Sequence, residues 1–351
     1  MTYRVTVRPS GHQFTVERGE SVLEAALRSG LSLDYNCSNG TCGDCRARLL
    51  EGEIAEERPH DYVIRSPERE QGAVLLCSIT AGSDLVIEAR EASDAADIPA
   101  ETISTTVHKL ERPTPEVAVL ELRTPRSRSL RFLAGQHARI RLDGLEPRSM
   151  SIASCPCNGM YLQFHVRHAA GDPFAEQVFN RLKPREKVEI EGPFGRFTLD
   201  EDSRRPLIFL AYETGFASIK SLVEHAIALE KAQPMRLYWV ARRPGDHYLA
   251  NYCRSWEDAF DDFQYTLVAS EDVPQCDPAR SVLAPEAAAA LSAPQRAMAL
   301  AGAHLVADHP DLGGFDVYVS GPESILTAAK PMLLAHGLPQ DRLFVDHIER
   351  H

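Results

Sequence analysis

Cys37, Cys42 and Cys45 fall in a C-x4-C-x2-C run, and Cys77 follows at a distance. That spacing of four thiols is the one that holds a plant-type [2Fe–2S] cluster, a centre that moves electrons singly. Two bridged irons need four thiolates converging on a small volume. The segment Asn36-Cys37-Ser38-Asn39-Gly40-Thr41-Cys42-Gly43-Asp44-Cys45 can deliver three of them only by turning tightly. Gly40 and Gly43 permit such a turn, and successive amide N–H groups can then face the negative sulfurs. Leu75-Leu76-Cys77-Ser78 brings the fourth thiol back on an apolar segment. The rival metal is zinc, but four-cysteine zinc sites usually pair two short knuckles, and the second is missing here. Buried or disulfide-bonded cysteines are the other alternative.

The remaining cysteines, Cys155, Cys157, Cys253 and Cys276, read as free thiols of a reducing compartment. No apolar run approaches the roughly 20 residues that cross a bilayer, and Met1–Val7 alternates like a strand rather than a signal peptide. A cytoplasmic protein without membrane contact is the expectation. The formal net charge of −12 disfavours nucleic acid as a partner. Residues 1–97 carry 17 Asp and Glu against 10 Arg, so much of the acidity lies on the cluster-bearing end. It can steer docking to a basic redox partner or simply form a solvated face.

Three stretches must position these groups. Residues 2–8 and 11–17 read as a strand pair, Ser21 and Glu24 as a capping box opening a short helix that Gly30 ends, and 46–50 and 85–89 as further strands. Residues 91–100 are polar and small, as in a linker. From 101 to 203, short β-rich runs at 103–110, 117–123, 137–142, 161–166 and 187–190, with a helix at 174–182, predict an antiparallel barrel with one cap helix. From 204 to 351 the pattern changes. The continuous apolar run Pro206–Ala211 precedes an amphipathic helix at 216–231, and strands at 235–241, 265–269 and 315–320 alternate with helices at 248–260, 295–306 and 323–336. This predicts an open α/β domain. The alanine run Ala287–Ala290 reads as helix or loop filler.

On Cys37–Cys45, Arg148-Ser149-Met150-Ser151-Ile152-Ala153, Glu191-Gly192-Pro193-Phe194-Gly195, Leu207–Lys220 and Tyr318-Val319-Ser320-Gly321-Pro322-Glu323, the chain resembles the NAD(P)H-dependent iron–sulfur flavoprotein reductases. It looks most like the CDP-6-deoxy-glucoseen reductase type and the reductase components of bacterial oxygenases. The resemblance covers nearly the whole chain. It implies a plant-type ferredoxin β-grasp domain (1–90), an FAD-binding β-barrel (101–203) and a ferredoxin-reductase-type nucleotide domain (204–351). It also implies hydride transfer from NAD(P)H to FAD, then single electrons through the cluster to an oxygenase component or a sugar-nucleotide dehydratase. By the same resemblance Arg148 would pair with the flavin diphosphate, Ser151 would bond near the flavin, and Met150 stands where a ring commonly stacks on it. His165 and Arg167 would lie beside a phosphate-contacting turn through Gly171, where Ala175 replaces a hydroxyl residue. Gly192 and Gly195 would shape the flavin–nicotinamide junction, and Thr214 and Gly215 the nucleotide turn.

The nucleotide domain departs from the pattern. Where relatives have A-G-G-T-G-[IF]-A-P, this chain reads Ala211-Tyr212-Glu213-Thr214-Gly215-Phe216-Ala217-Ser218. A ring at 212 could fill the access path. A carboxylate at 213 opposes a diphosphate unless it turns away or meets a cation. Ser320 replaces the cysteine near the nicotinamide, where it would act in hydride transfer, and Ile348 stands near the place of a terminal aromatic. No G-R-x-G segment is evident between Asp272 and Ala303, while Arg242 and Arg243 after a strand could receive a 2′-phosphate. Two readings stay open: ordinary NAD(P)H oxidation, and a pseudo-reductase or scaffold with lost or altered nucleotide use that serves its partner through the cluster.

Overall fold

The computed structural model describes residues 2–270 and 292–347. Cys276, Ala287–Ala290 and Ile348 lie outside these residues.

The N-terminal sheet has the order β2-β1-β7-β3-β5, built from β1 (Thr2–Arg8), β2 (Gln13–Glu17), β3 (Arg46–Glu51), β5 (Ala73–Leu75) and β7 (Leu85–Glu88). β1 and β7 run parallel and the other pairs antiparallel, the mixed sheet expected. Its alternating residues Val5, Val7, Phe14 and Val16 are buried against α1 (Val22–Arg28). Ser21 opens that helix as read: its Oγ accepts from Glu24 N–H at 3.2 Å, and Glu24 Oε2 accepts from Ser21 N–H at 3.0 Å. Gly30 follows its end with φ +81°, the left-handed turn that glycine adopts without strain. A two-stranded pair, β4 (Ile54–Glu57) with β6 (Ile79–Ala81), and the short α2 (Ser66–Glu70) were not expected.

The second sheet has six strands in the order β11-β10-β13-β8-β9-β12, all neighbours antiparallel. Its strands are β8 (Glu101–Thr114), β9 (Val117–Arg123), β10 (His137–Arg141), β11 (Arg148–Ser151), β12 (Tyr161–Arg167) and β13 (Lys187–Phe194), and α3 (Pro173–Asn180) caps it. The two edge strands approach each other just past β11, where Ala153 N–H donates to Gln163 O at 2.7 Å. That contact curls the sheet into the expected barrel.

The third sheet is wholly parallel, in the order β16-β15-β14-β17-β18. It comprises β14 (Leu207–Tyr212), β15 (Met235–Ala241), β16 (Phe263–Ala269), β17 (Asp316–Gly321) and β18 (Leu343–His347), with helices α4 (Phe216–Ala228), α5 (Ala250–Ala259), α6 (Ala293–Asp308) and α7 (Glu323–Ala335). All six residues of β14 are buried, as its unbroken apolar sequence requires. Leu207, Phe209 and Ala211 pack on the face of α4 and α5, and Ile208, Leu210 and Tyr212 on the face of α6 and α7. The order reverses between β14 and β17, so their carboxyl ends flank the crevice where such sheets take ligands.

Direct contacts join the N-terminal unit and the linker to the barrel. Ser129 N–H donates to Asn36 O at 2.6 Å, Arg131 pairs with Asp34 at 2.8 Å, and the linker side chain Ile98 packs with Ala92 and Leu133. One cysteine expectation is corrected: Cys155 and Cys157 are joined as a disulfide rather than free. The single 3-10 turn Pro156–Asn158 brings their Cα atoms to 5.2 Å, within bridging range. Cys253 is a buried free thiol.

Candidate functional site

The cluster loop and the segment after β5 set the four sequence-predicted cysteines in two close pairs. Cys45 and Cys77 sulfurs lie 3.3 Å apart, and Cys37 and Cys42 each receive the other's backbone N–H at 3.4 Å. Asp44 N–H also points at Cys42 Sγ at 3.4 Å. Among the described residues no three metal-ligating side chains converge as they do on a single ion. Two thiol pairs instead match the needs of two bridged irons. Gly40 and Gly43 have φ of +77° and +85°, and a Cβ on either would meet the covering segment, His60 Cβ at 2.5 Å or the Tyr62 ring at 2.2 Å. Only glycine leaves room for the loop beneath that cover.

In each pair one thiol is shifted toward the thiolate and its partner away from it. Contact with the Cys45 thiol outweighs burial at Cys77 and, helped by Ser78, brings it down to about 6, while Cys45 itself is driven upward by Cys77 and by burial. Burial pushes Cys37 upward, but hydrogen bonds from Thr41, Cys42 and the Asn39 backbone together bring it down to about 7. Cys42 moves upward, chiefly through burial. Donor set, N–H groups and glycine cradle all fit a two-iron cluster.

The barrel carries a cleft of about 950 Å³ between the β10–β11 connection and the start of α3, with Arg141, Arg148, Phe174 and Lys187 on its walls. Arg148 lies over the Phe174 ring at 4.9 Å and is held as a fork by Asp172, one arm at 2.9 Å. Asp172 caps α3, accepting from Phe174 N–H at 3.0 Å and Ala175 N–H at 3.4 Å. Burial would raise this carboxyl, but the Arg148 contact and the Ala175 and Phe174 amides together hold it below the ordinary range. Gly171, at φ +79°, makes the turn before it. Arg141, Arg148 and Lys187 are balanced on these walls by Asp143, Glu146 and Glu189, so it is the volume and the planar Arg148 guanidinium, rather than net charge, that fit a dinucleotide such as FAD. Met150 is partly buried on the barrel core beside this wall.

His165 and Arg167 lie on β12, the strand that leads into the Gly171 turn. His165 is buried between the barrel and the third sheet, with Nδ1 2.8 Å from the Tyr248 hydroxyl and Nε2 3.2 Å from Gln163 Oε1. Burial, with Lys220 nearby, holds its pKa well below the ordinary value, so it is neutral. Arg167 faces Glu116 at 2.9 Å and forms an ion pair with Glu213. Gly192 and Gly195 pack on β10, where a Cβ would meet Ala138 at 3.1 Å and His137 Nδ1 at 2.9 Å.

The turn from β14 into α4 shows what becomes of the two unusual residues. The Tyr212 ring is buried in the α6–α7 face with its hydroxyl toward Arg242, so it belongs to the core rather than to the turn. Glu213 meets its cations: besides Arg167, Arg242 Nε approaches it at 2.9 Å. Its backbone takes φ +49°, a left-handed value ordinarily left to glycine, and Trp239 Nε1–H holds its carbonyl at 3.0 Å. Thr214 and Gly215 complete the turn, and a Cβ on Gly215 would lie 2.5 Å from Ser320 O.

A chain of hydroxyls crosses from this turn to the barrel. Ser218 Oγ donates to Ser320 Oγ at 2.9 Å, and Ser320 and Ser151 both donate to Asp346 Oδ2, at 3.2 and 3.1 Å. Ser151 and Ser320, read separately from the sequence, thus share one carboxylate. Asp346 was missed because β18 carries too few residues to show a period, and a lone carboxylate near the chain end gives no signal.

Comparison with known proteins agrees with this architecture. Residues 5–82 match the 2Fe-2S iron-sulfur cluster binding domain and 104–199 the oxidoreductase FAD-binding domain. The chain is 30% identical over 346 residues, 99% of its own length and 98% of the relative's, to CDP-6-deoxy-L-threo-D-glycero-4-hexulose-3-dehydrase reductase of Yersinia pseudotuberculosis. It is 34% identical over 271 residues, 77% of its length and 80% of the relative's, to terephthalate 1,2-dioxygenase reductase component 1 of a Comamonas species. The fold is shared with an Amycolatopsis cytochrome P450 reductase, with a TM-score of 0.60 and 24% identity across 98% of each chain. This chain belongs to the family of iron–sulfur flavoprotein reductases, proteins with an FAD and a [2Fe–2S] cluster.

Proposed function

We propose that this protein is a reductase component that takes electrons from NAD(P)H and passes them through FAD and its [2Fe–2S] cluster to a partner protein. The observation that carries this reading is the arrangement of the four cysteines as two close pairs, on a chain that aligns over 99% of its length with a dehydrase reductase. Bound FAD converts two-electron chemistry to one-electron chemistry, and the cluster carries single electrons. Cys37, Cys42, Cys45 and Cys77 hold the cluster. Arg148, with the Gly171 turn and the α3 N-terminus, holds the flavin's diphosphate, and Met150 and Ser151 border its ring. Gly192 supports the same wall, while His165 and Arg167 serve the joint between barrel and third sheet. Ser320, at the end of β17, faces the reacting nicotinamide and passes its hydrogen bond to Asp346.

The relatives' names supply two kinds of partner, an oxygenase component or a sugar-nucleotide dehydratase. We take residues 1–90, 101–203 and 204–351 as the three units, joined by a linker at 91–100. No helix among the described residues is long and apolar enough to cross a membrane. A supply of reduced nucleotide favours the cytoplasm, against which the Cys155–Cys157 bond is the one feature that a reducing compartment does not lead one to expect. A second reading, a pseudo-reductase with altered nucleotide use, is favoured by the ion pairs of Glu213. Anaerobic titration of the iron- and FAD-loaded protein with NADH and NADPH separates the two. Bleaching of flavin and cluster absorbance supports the reductase; full cofactor content with no response to either nucleotide, while dithionite still reduces both, sinks it.

A further inference from the structure

At the β14–α4 turn the chain supplies an anion of its own. Glu213 is buried, its side chain only 5% exposed, and its carboxylate lies between Arg167 of the barrel and Arg242 of the third sheet. Around it Glu116 joins Arg167 to Arg243, and Asp246 pairs with Arg243 at 3.1 Å. Three arginines and three carboxylates make this cluster formally neutral. The turn stands at the carboxyl end of the central strand, where the strand order reverses.

We infer that Glu213 is a displaceable internal counter-anion, which occupies the arginine seat until the diphosphate of an incoming nicotinamide dinucleotide exchanges for it and which thereby sets nucleotide affinity. The inference rests on the reductase reading above. Guanidinium forks accept carboxylate and phosphate oxygens alike, so Arg167 and Arg242 can exchange one for the other. A buried carboxylate stripped of both cations is strongly disfavoured, so Glu213 must swing toward solvent as the ligand enters. Arg242 is 47% exposed and gives the seat an open side. The backbone is pinned independently, by the Trp239 bond to the Glu213 carbonyl, so the turn can keep its shape while the side chain leaves. With Glu213 in place a diphosphate meets a neutral cluster. Without the Glu213 charge it meets a net positive one.

The test compares FAD-loaded wild type with Glu213→Gln and Glu213→Asp by anaerobic stopped-flow reduction with NADH and NADPH, separating the dissociation constant from the limiting rate of flavin bleaching. Inorganic pyrophosphate is the competing probe. Glu213→Gln should bind nucleotide and pyrophosphate about tenfold more tightly. Its limiting rate should stay within about twofold, and Glu213→Asp should stay near wild type. Equal or weaker binding by folded, FAD-loaded Glu213→Gln overturns the inference. Should that variant fail to fold, Arg242→Gln probes the exposed half of the seat: about tenfold weaker pyrophosphate binding supports the inference, and unchanged binding overturns it. If wild type and variants alike ignore both nucleotides while dithionite bleaches the flavin, the reductase reading fails and this inference with it. Normal reduction of wild type with no change in the variants removes the inference alone.

Discussion

The cluster loop and the β14–α4 turn are both tight, left-handed bends built to face an anion, and they solve the problem oppositely. In the loop, Gly40 and Gly43 take the positive φ values, and the space they leave lets backbone N–H groups reach sulfur. At the turn a glutamate takes the left-handed position, and its own carboxylate is the anion that the surrounding cations meet. A glycine bend waits for a ligand from outside. A glutamate bend satisfies its cations from within the chain, at the cost of a strained backbone and a buried charge.

The contrast can be broken from either side. The largest effect belongs to Cys77→Ser, which removes a ligand that no neighbour replaces: the purified variant should lose its cluster's visible absorbance and nearly all bound iron while keeping FAD. A cluster retained at wild-type stoichiometry would show that the four-cysteine assignment is wrong. Next comes Arg167→Met, which leaves the buried Glu213 one cation short. A loss of about 3 kcal/mol in unfolding free energy is expected, and Arg167→Met with Glu213→Gln should recover part of it; additive losses would deny that the two are coupled.

Gly40→Ala tests the cradle. A left-handed φ and a Cβ 2.5 Å from His60 Cβ should cost more than about 1 kcal/mol, read as faster release of iron to a chelator. Release at the wild-type rate would mean the covering segment yields easily. The smallest effect is a pH dependence at the joint. His165 has a depressed folded-state pKa, so its contribution is whole above the unfolded value near 6.5 and is lost as pH falls below it. Wild type should lose up to about 1.4 kcal/mol per pH unit more than His165→Gln on acidification below that value. Parallel stability curves for the two would remove His165 from the account.

What the sequence reveals about each region follows from how its information is distributed. Cys37, Cys42, Cys45 and Cys77 declare themselves because thiols are rare and their spacing is tied to one inorganic core. The strands of the third sheet are legible because β14, buried on both faces, must be apolar throughout. The pair β4–β6 and the strand β11 escape notice, because three or four residues such as Arg148–Ser151 carry no measurable period. Partner choice is harder still. Arg167 looks like a phosphate ligand by resemblance, and only the fold reveals that Glu116 and Glu213 stand beside it. The proviso that Glu213 would have to meet a cation was legible; which cations, from two different sheets, was not. Likewise the bond between Cys155 and Cys157 depends on how Pro156 turns the chain.

The hydrogen bond from Ser129 N–H to Asn36 O grips the residue immediately before Cys37, whereas Cys42, on the other side of the loop, is partly open to solvent. Delivery and discharge of an electron therefore obey different rate laws. Delivery is intramolecular, governed by an effective concentration that dilution does not alter. Discharge is a collision, first order in whichever acceptor arrives. Under scarce acceptor the reservoir fills, and turnover reports the acceptor's abundance rather than the donor's.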